Sequence, residues 1–340
     1  MRTIIHIGTH KTGTTTIQHF AKHNARKLRQ KGFWYPGYDM IGRKGRYAHH
    51  DFSHAIAGQK SANLSLQDTI DFVEAIRQNG LKATPPEIAF LSAEPIYRHM
   101  LPPAKPEDED SYWAGRERYV ARLAEITAPL APEILMVVRR QDDFARSLFQ
   151  ENVKSNRVNV DFLSFVEDNI GFFEYNRQYE LFKKYFPIVR VLVFEDLAND
   201  GKLVREFFEQ LGCKTGRMKL VPELNESLPM ELTEYKRLLN DGPFSRAQLT
   251  SVAKHLLEMR NDKAAFPKEA KLDWISTKQM TTLMRRFDAS NRALYKAMDV
   301  KPDRKTLFPP AKPREGVFPG LSMQRFVEIN NMLLKRLVDE

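Results

Sequence analysis

Apolar positions along the chain follow two alternating patterns. Short, largely β-branched runs recur at residues 4–7, 87–92, 134–138 and 189–194, the length and character of buried strands. Between them, apolar residues return at helical spacing. Ile17, Phe20, Ala21, Ala25 and Leu28 share one face of a helix expected over about 14–31. Lys22, Arg26, Lys27, Arg29 and Lys31 form its other face, which reads as solvated. Further helices are expected over about 66–79, 116–126, 144–152 and 203–211. The segment 33–36 (Phe-Trp-Tyr-Pro) reads as a short buried extended piece. Residues 37–54, rich in Gly, Arg and His, read as a loop, and 101–112 as a proline-rich acidic loop. Strands alternating with helices predict an α/β fold with a parallel, doubly wound sheet flanked by helices. Beyond about residue 214 the pattern turns helical, over about 228–239, 245–259 and 278–298. Five prolines in 302–320 mark a linker before a terminal helix at about 322–338. The expected organisation is one α/β domain over 1–300, with a helical subregion at about 214–300, followed by a linker and terminal helix over 301–340.

The first strand carries the chemistry. It breaks at Gly8, passes through a loop containing Gly13 and enters the first helix. A strand, a turn and a helix N-terminus present free N–H groups and a dipole that favour an anion. A nucleotide-triphosphate loop reads G-x-x-x-x-G-K-[ST]. Gly8 and Gly13 keep that spacing, but Thr14 occupies the lysine position and the lysine is displaced into the loop as Lys11. The loop is P-loop-like without being an ordinary ATPase loop. A second motif follows the 134–138 strand: Arg139 at its end and Ser147 eight residues on, about one turn into the next helix. An arginine fork and a hydroxyl so placed can hold a second phosphate, although such an arginine also serves as an ion-pair partner. Both motifs, with Ser92-Ala93-Glu94, fall at C-terminal strand ends, where doubly wound sheets bind ligands.

Composition narrows the choice. With 340 residues and a net charge of +10, the chain can bury a sizeable core and attract anionic ligands: a polyanionic cofactor, an acidic saccharide, a membrane surface or nucleic acid. The single cysteine, Cys213, excludes an intramolecular disulfide and a cysteine-rich metal site, and it reads as structural. No apolar run reaches transmembrane length, and the chain enters a strand at once without a signal peptide. A reducing cytoplasm is the expected setting.

The chain resembles sulfotransferases that use 3′-phosphoadenosine-5′-phosphosulfate (PAPS). That family's K-[ST]-G-T-[TS] loop for the 5′-phosphosulfate is matched by Lys11-Thr12-Gly13-Thr14-Thr15, and its Arg with a Ser eight residues later, for the 3′-phosphate, by Arg139 and Ser147. Phe194-Glu195-Asp196-Leu197 and Leu211-Gly212 repeat a further pattern of the family, a strand ending in [YF]-E-D-L before a helix ending in L-G. The resemblance covers roughly residues 1–215. It departs from the family where Arg140-Gln141 replaces the proline that often follows the arginine, and residues after about 300 match nothing. The resemblance implies PAPS as co-substrate, with Lys11 stabilising charge on the leaving phosphate oxygen. Gly13 would admit the backbone to the ligand, while Thr14, Thr15 and Thr16 would donate hydroxyls and N–H groups. Thr16 equally suits simple helix-start packing. Sulfuryl transfer, like phosphoryl transfer, depends on positioning and electrostatics. No divalent metal is required for it, and no acidic metal cluster stands out in the sequence.

An acceptor hydroxyl needs a general base. Glu94 is one candidate, with an ion pair as its alternative role, and His50 of the His49-His50 pair is the second. His10 could touch ligand or only shape the loop, and Glu195 reads as a fold anchor. The expected reaction is transfer of a sulfuryl group to a hydroxyl, less readily an amine, of a saccharide or glycolipid. Arg43-Lys44-Gly45-Arg46 tilts the choice toward an anionic acceptor. The acceptor itself would be selected by residues 37–65, 99–115 and 214–300. The competing readings are a P-loop nucleotide or small-molecule kinase, disfavoured because no lysine follows Gly13, and a basic adaptor binding nucleotide or RNA. No aromatic-rich RNA-binding motif supports the latter. Peripheral membrane contact fits the charge; oligomeric state is not encoded legibly.

Overall fold

The computed structural model describes residues 1–102, 108–198, 201–216, 218–220, 227–267 and 271–338. In chain order, β1 (Arg2–Gly8) is followed by α1 (Thr14–His23), α2 (Ala25–Gln30), β2 (Phe33–Trp34), α3 (His50–Ile56), α4 (Leu66–Gly80) and β3 (Ile88–Ser92). Then come α5 (Glu109–Thr127), β4 (Glu133–Val138), α6 (Gln141–Lys154), α7 (Phe162–Asp168), α8 (Tyr175–Tyr185), β5 (Val189–Val193), α9 (Phe194–Leu197) and α10 (Leu203–Gln210). The C-terminal third holds α11 (Met230–Asn240), α12 (Arg246–Met259), β6 (Leu272–Asp273), α13 (Thr277–Arg285), α14 (Asp288–Ala297), β7 (Gly316–Val317) and α15 (Met323–Val338).

The chain forms two compact units. The first comprises Met1–Arg140, Gly171–Leu224 and Asp288–Pro309. Among its described residues, five strands pair in the order β2-β3-β1-β4-β5, every pair parallel. This is the parallel α/β sheet that the alternation predicts. The strands are apolar because helices cover both faces: β3 and β4 are buried along nearly their whole length. On one face Ile4, Phe90, Leu135 and Val137 pack with Ile17 and Phe20 of α1 and with Val204, Phe207 and Phe208 of α10. α8 lies against β4 and β5. From β1 the chain first builds one side of the sheet, through β2 and β3, and then crosses to build β4 and β5. The reversal falls between β1 and β4, where such sheets open a ligand crevice beyond the strand ends.

The second unit comprises Gln141–Ile170, Asn225–Phe287 and Pro310–Glu340. Its core joins Leu228, Leu232, Tyr235, Leu256, Met259, Ile329 and Leu333. The short strands β6 and β7 pair in parallel. Arg146 on α6 forks onto Asp273 of β6 (Nε–Oδ1 2.9 Å, Nη2–Oδ2 2.6 Å), an arrangement suited to a planar guanidinium.

Several expected boundaries move. The helix expected over 14–31 breaks at Asn24, whose side chain donates to the Phe20 and Lys219 carbonyls. The stretch expected over 278–298 breaks at Phe287, a buried residue that separates α13 from α14 in sequence. The loop expected over 37–54 contains a 3₁₀ turn (Tyr38–Ile41) and the start of α3. α7 and α8 were not expected from the pattern. The part of the acidic loop at 103–107 lies outside the described residues, and 109–112 already belongs to α5.

Candidate active site

The loop after β1 is bent into an unusual backbone. Gly8 (φ 91°), Lys11 (φ 61°) and Gly13 (φ 71°) all take the left-handed region. For Lys11, a residue with a Cβ, that conformation is strained, and such strain concentrates at ligand sites. The loop is held from within. Thr9 N–H donates to the Val137 carbonyl at 2.6 Å, and the buried Thr12 hydroxyl donates to the Thr9 carbonyl at 2.7 Å. The Thr12 hydroxyl is therefore committed to loop shape. Gly13 is the N-cap of α1 and offers no capping side chain, and the first turn carries no acidic residue. Thr14 is buried, whereas Thr15 and Thr16 are half-buried on that turn. The helix start is thus left suited to an anionic oxygen. Among the loop's buried side-chain nitrogens and oxygens that the structure describes, His10 Nε2 has no hydrogen-bond partner.

Arg139, directly after β4, reaches this loop. Its Nη1 donates to the Lys11 carbonyl at 2.8 Å, and its guanidinium lies 5.0 Å from the Phe194 ring centroid. Its own carbonyl accepts from Tyr175 Oη at 2.6 Å. The Lys11 loop and Arg139 therefore meet at the β1/β4 switch point. Ser147 lies on α6 of the second unit, half-buried, with no hydrogen-bond partner for its hydroxyl among the described residues. Glu195 Oε1 accepts from the Arg140 N–H at 2.8 Å.

Glu94 follows β3 and stands beside the loop. A Cβ on Gly8 would lie 2.9 Å from the Glu94 Cβ, so glycine at position 8 is what lets the two segments approach. The Glu94 carboxylate is buried, and its Oε2 accepts from His50 Nε2 at 2.6 Å and from Gln18 Nε2 at 2.7 Å. Burial alone would raise its pKa. The hydrogen bond and charge of His50, the nearby His10 and the Gln18 amide outweigh burial and hold it well below the usual carboxylate range. An ionised carboxylate can only accept, so the proton of this pair sits on His50 Nε2. His50 Nδ1 has no hydrogen-bond partner among the described residues, and the side chain is about a third exposed (31%).

The other histidines divide by environment. His49 is buried. Its Nε2 bonds the Pro36 carbonyl at 2.8 Å and its Nδ1 accepts from Ser92 N–H at 3.0 Å, which fixes one tautomer. Burial lowers its pKa to about 4. His6, bonded to Ser92 Oγ at 2.9 Å, is likewise lowered to about 4 by burial. Burial, followed by the charge of Arg98, pushes His10 well below its ordinary value. Among the described residues no three His, Cys, Asp or Glu side chains are placed to hold a metal ion. No helix among them is long and apolar enough to cross a membrane.

Gln18 is the participant that the sequence reading overlooked. It lies one turn after Thr14 and is fully buried beside Ile17, Phe20 and Ala21. A polar residue interrupting an otherwise apolar helix face was the available signal, because a buried amide needs a partner.

No family model matches the chain, and no curated protein matches it. A crystal structure of a sulfotransferase from Alicyclobacillus acidocaldarius is similar over 79% of this chain and 97% of that one, at 14% sequence identity and a TM-score of 0.39. A superposition that loose carries no functional weight.

Proposed function

We propose that the protein transfers a sulfuryl group from PAPS to an acceptor hydroxyl, leaving adenosine 3′,5′-bisphosphate. The observation that supports this is the meeting, at one crevice, of the Lys11 loop, Arg139 and an imidazole oriented by a carboxylate. Lys11, the N–H groups at the start of α1 and the Thr14–Thr16 turn take the phosphosulfate, and Arg139 takes the 3′-phosphate. Ser147 is assigned to the 3′-phosphate on its sequence spacing from Arg139 alone. His50 Nδ1 accepts the acceptor's proton as the acceptor oxygen bonds to sulfur and the bond from sulfur to the bridging phosphate oxygen breaks. Lys11 neutralises the charge that develops on that oxygen. Glu94 serves as the positioning residue: a carboxylate held below its usual range is a poor base but a strong acceptor for the His50 Nε2–H, and it stabilises the imidazolium. A saccharide or glycolipid is the proposed acceptor.

The kinase reading lacks a lysine after Gly13. Thermal shifts separate the two readings. Adenosine 3′,5′-bisphosphate without magnesium should stabilise the protein, and Arg139→Ala and Lys11→Ala should reduce the effect. Stabilisation by ATP with magnesium alone would overturn the proposal, as would failure to move labelled sulfate from PAPS to any hydroxyl acceptor.

A further inference from the structure

Beside the histidine–carboxylate pair lies a basic recess of about 520 Å³ that the reaction chemistry above leaves without a role. Its wall is the segment 43–49, and three contacts fix that wall. Arg43 Nε pairs with Asp68 Oδ1 at 2.9 Å, at the capped start of α4. A Cβ on Gly45 would lie 2.8 Å from Tyr38 Cδ2, so the chain rests directly on that ring. Tyr35 Oη donates to the Tyr47 carbonyl at 2.7 Å. The cations between these anchors are not used by the fold. Lys44 and Arg46, with Lys22 across the recess, have no ion-pair partner among the described residues. Three cations without an ion pair, against the one carboxylate of Asp39 in the same lining, leave a net positive recess on a wall already fixed in place, which a ligand's negative charge can enter at little ordering cost.

Position says what the charge belongs to. Tyr47 lines the recess, and its ring also faces His50 edge-on, with ring centroids 6.4 Å apart. It stacks on His19 at 3.7 Å. A molecule presenting a hydroxyl to His50 would extend past Tyr47 into the recess. The recess shares Lys22, Tyr35, Gly37 and Asp39 with a second one of about 340 Å³ that continues to Trp34. The two make a groove with aromatic residues in its walls, Lys22 beside Asp39 where they join, and Lys44 and Arg46 on the side nearer Tyr47. The nucleotide's phosphates are already assigned to the loop and Arg139, so the charge belongs to the other substrate.

We infer that this groove is the acceptor's extension site, and that the acceptor is an acidic oligosaccharide with an anionic group held by Lys22, Lys44 and Arg46 at a distance from the reacting hydroxyl. The inference rests on the sulfotransferase reading. The carboxylate or sulfate of a neighbouring sugar meets the cations, and sugar rings lie along Tyr35, Tyr47 and Trp34.

The test uses the full chain saturated with adenosine 3′,5′-bisphosphate. Titrants are a hexasaccharide of alternating uronic acid and N-acetylhexosamine, the same hexasaccharide with its carboxyls reduced, and sodium sulfate at matched charge. The acidic hexasaccharide should bind about tenfold or more tightly than its reduced counterpart. A Lys44→Ala/Arg46→Ala double variant should lose about tenfold in that affinity, roughly what two exposed charge contacts supply. The thermal shift given by the bisphosphate should be unchanged in the double variant. Equal binding of the two hexasaccharides, equal binding of sulfate, or wild-type affinity in the double variant would overturn the extension site. Absence of bisphosphate binding would instead overturn the sulfotransferase reading, so the two failures are distinguishable.

Discussion

Glu94 Oε2 takes two donors, His50 and Gln18, within a buried corner, so its chemistry depends on both staying in place. His50→Ala should lower kcat by about 10²–10⁴-fold, the usual contribution of a positioned base, with the bisphosphate thermal shift retained. Glu94→Gln should lower kcat by at least about tenfold through misorientation of the ring, again without loss of nucleotide binding; steady-state kinetics beside thermal shifts would check both. A separate prediction concerns acid. His6 and His49 take up protons only near pH 4 in the folded chain, whereas an unfolded histidine does so near about 6.5. Between those values the unfolded chain binds more protons, so stability falls as pH drops from about 6.5 to about 4. The upper bound is about 3 kcal/mol per histidine. Urea midpoints measured from pH 7 to 4.5 should decline, and His49→Gln should flatten the decline. At this scale sequence named Lys11, Arg139 and Glu94 from strand-end position, and His50 from a basic loop. It left the base open, because the Glu94–His50 bond joins residues 44 apart in sequence, and no local pattern encodes such a meeting.

Among elements, the approach of the β1 loop to the segment after β3 turns on Gly8. Gly8→Ala combines a φ of 91° with a Cβ at 2.9 Å from the Glu94 Cβ. It should destabilise the protein by about 1–3 kcal/mol and, by displacing Glu94, reduce turnover more than a matched alanine elsewhere in β1. Arg116 of α5 is fully buried, with no carboxylate paired to it among the described residues. It donates to the Ile96 and His99 carbonyls and to Gln178 of α8. It thereby ties α5 and α8 to the stretch that follows Glu94. Arg116→Met should cost about 2–4 kcal/mol, because buried carbonyls lose their donor, as a shift in urea midpoint would report. The core strands were legible because burial on both faces demands continuous apolar runs. The 37–54 region misled for the opposite reason. α3 buries Phe52, Ala55 and Ile56, but between them it carries His50, Asp51 and His54, whose partners Glu94, Asn63 and His99 lie outside the helix and cannot be read from local spacing. The break at Asn24 was hidden because apolar spacing continues across it.

For the whole molecule, the alternation of strand and helix predicted the parallel sheet, since one periodicity governs each layer. It gave less guidance beyond residue 214, where helix spacing says that helices exist but not which ones share a core. Nucleotide binding should act on the fold as a whole. A ligand bound only by the native state stabilises it by about 2.7 kcal/mol at a hundredfold excess over Kd, so saturating adenosine 3′,5′-bisphosphate should raise Tm by several degrees without magnesium. An unchanged Tm at saturation would contradict the proposed site. The start of α1 makes that coupling local as well. Gly13 supplies no side-chain oxygen to the first turn, so the helix lacks the terminator that most helices carry within their own sequence. A bound anion can supply the missing piece. The ligand then serves as the last element of secondary structure, and amide protons at Thr14, Thr15 and Thr16 should exchange with deuterium quickly in the free protein and slow sharply once the bisphosphate is bound.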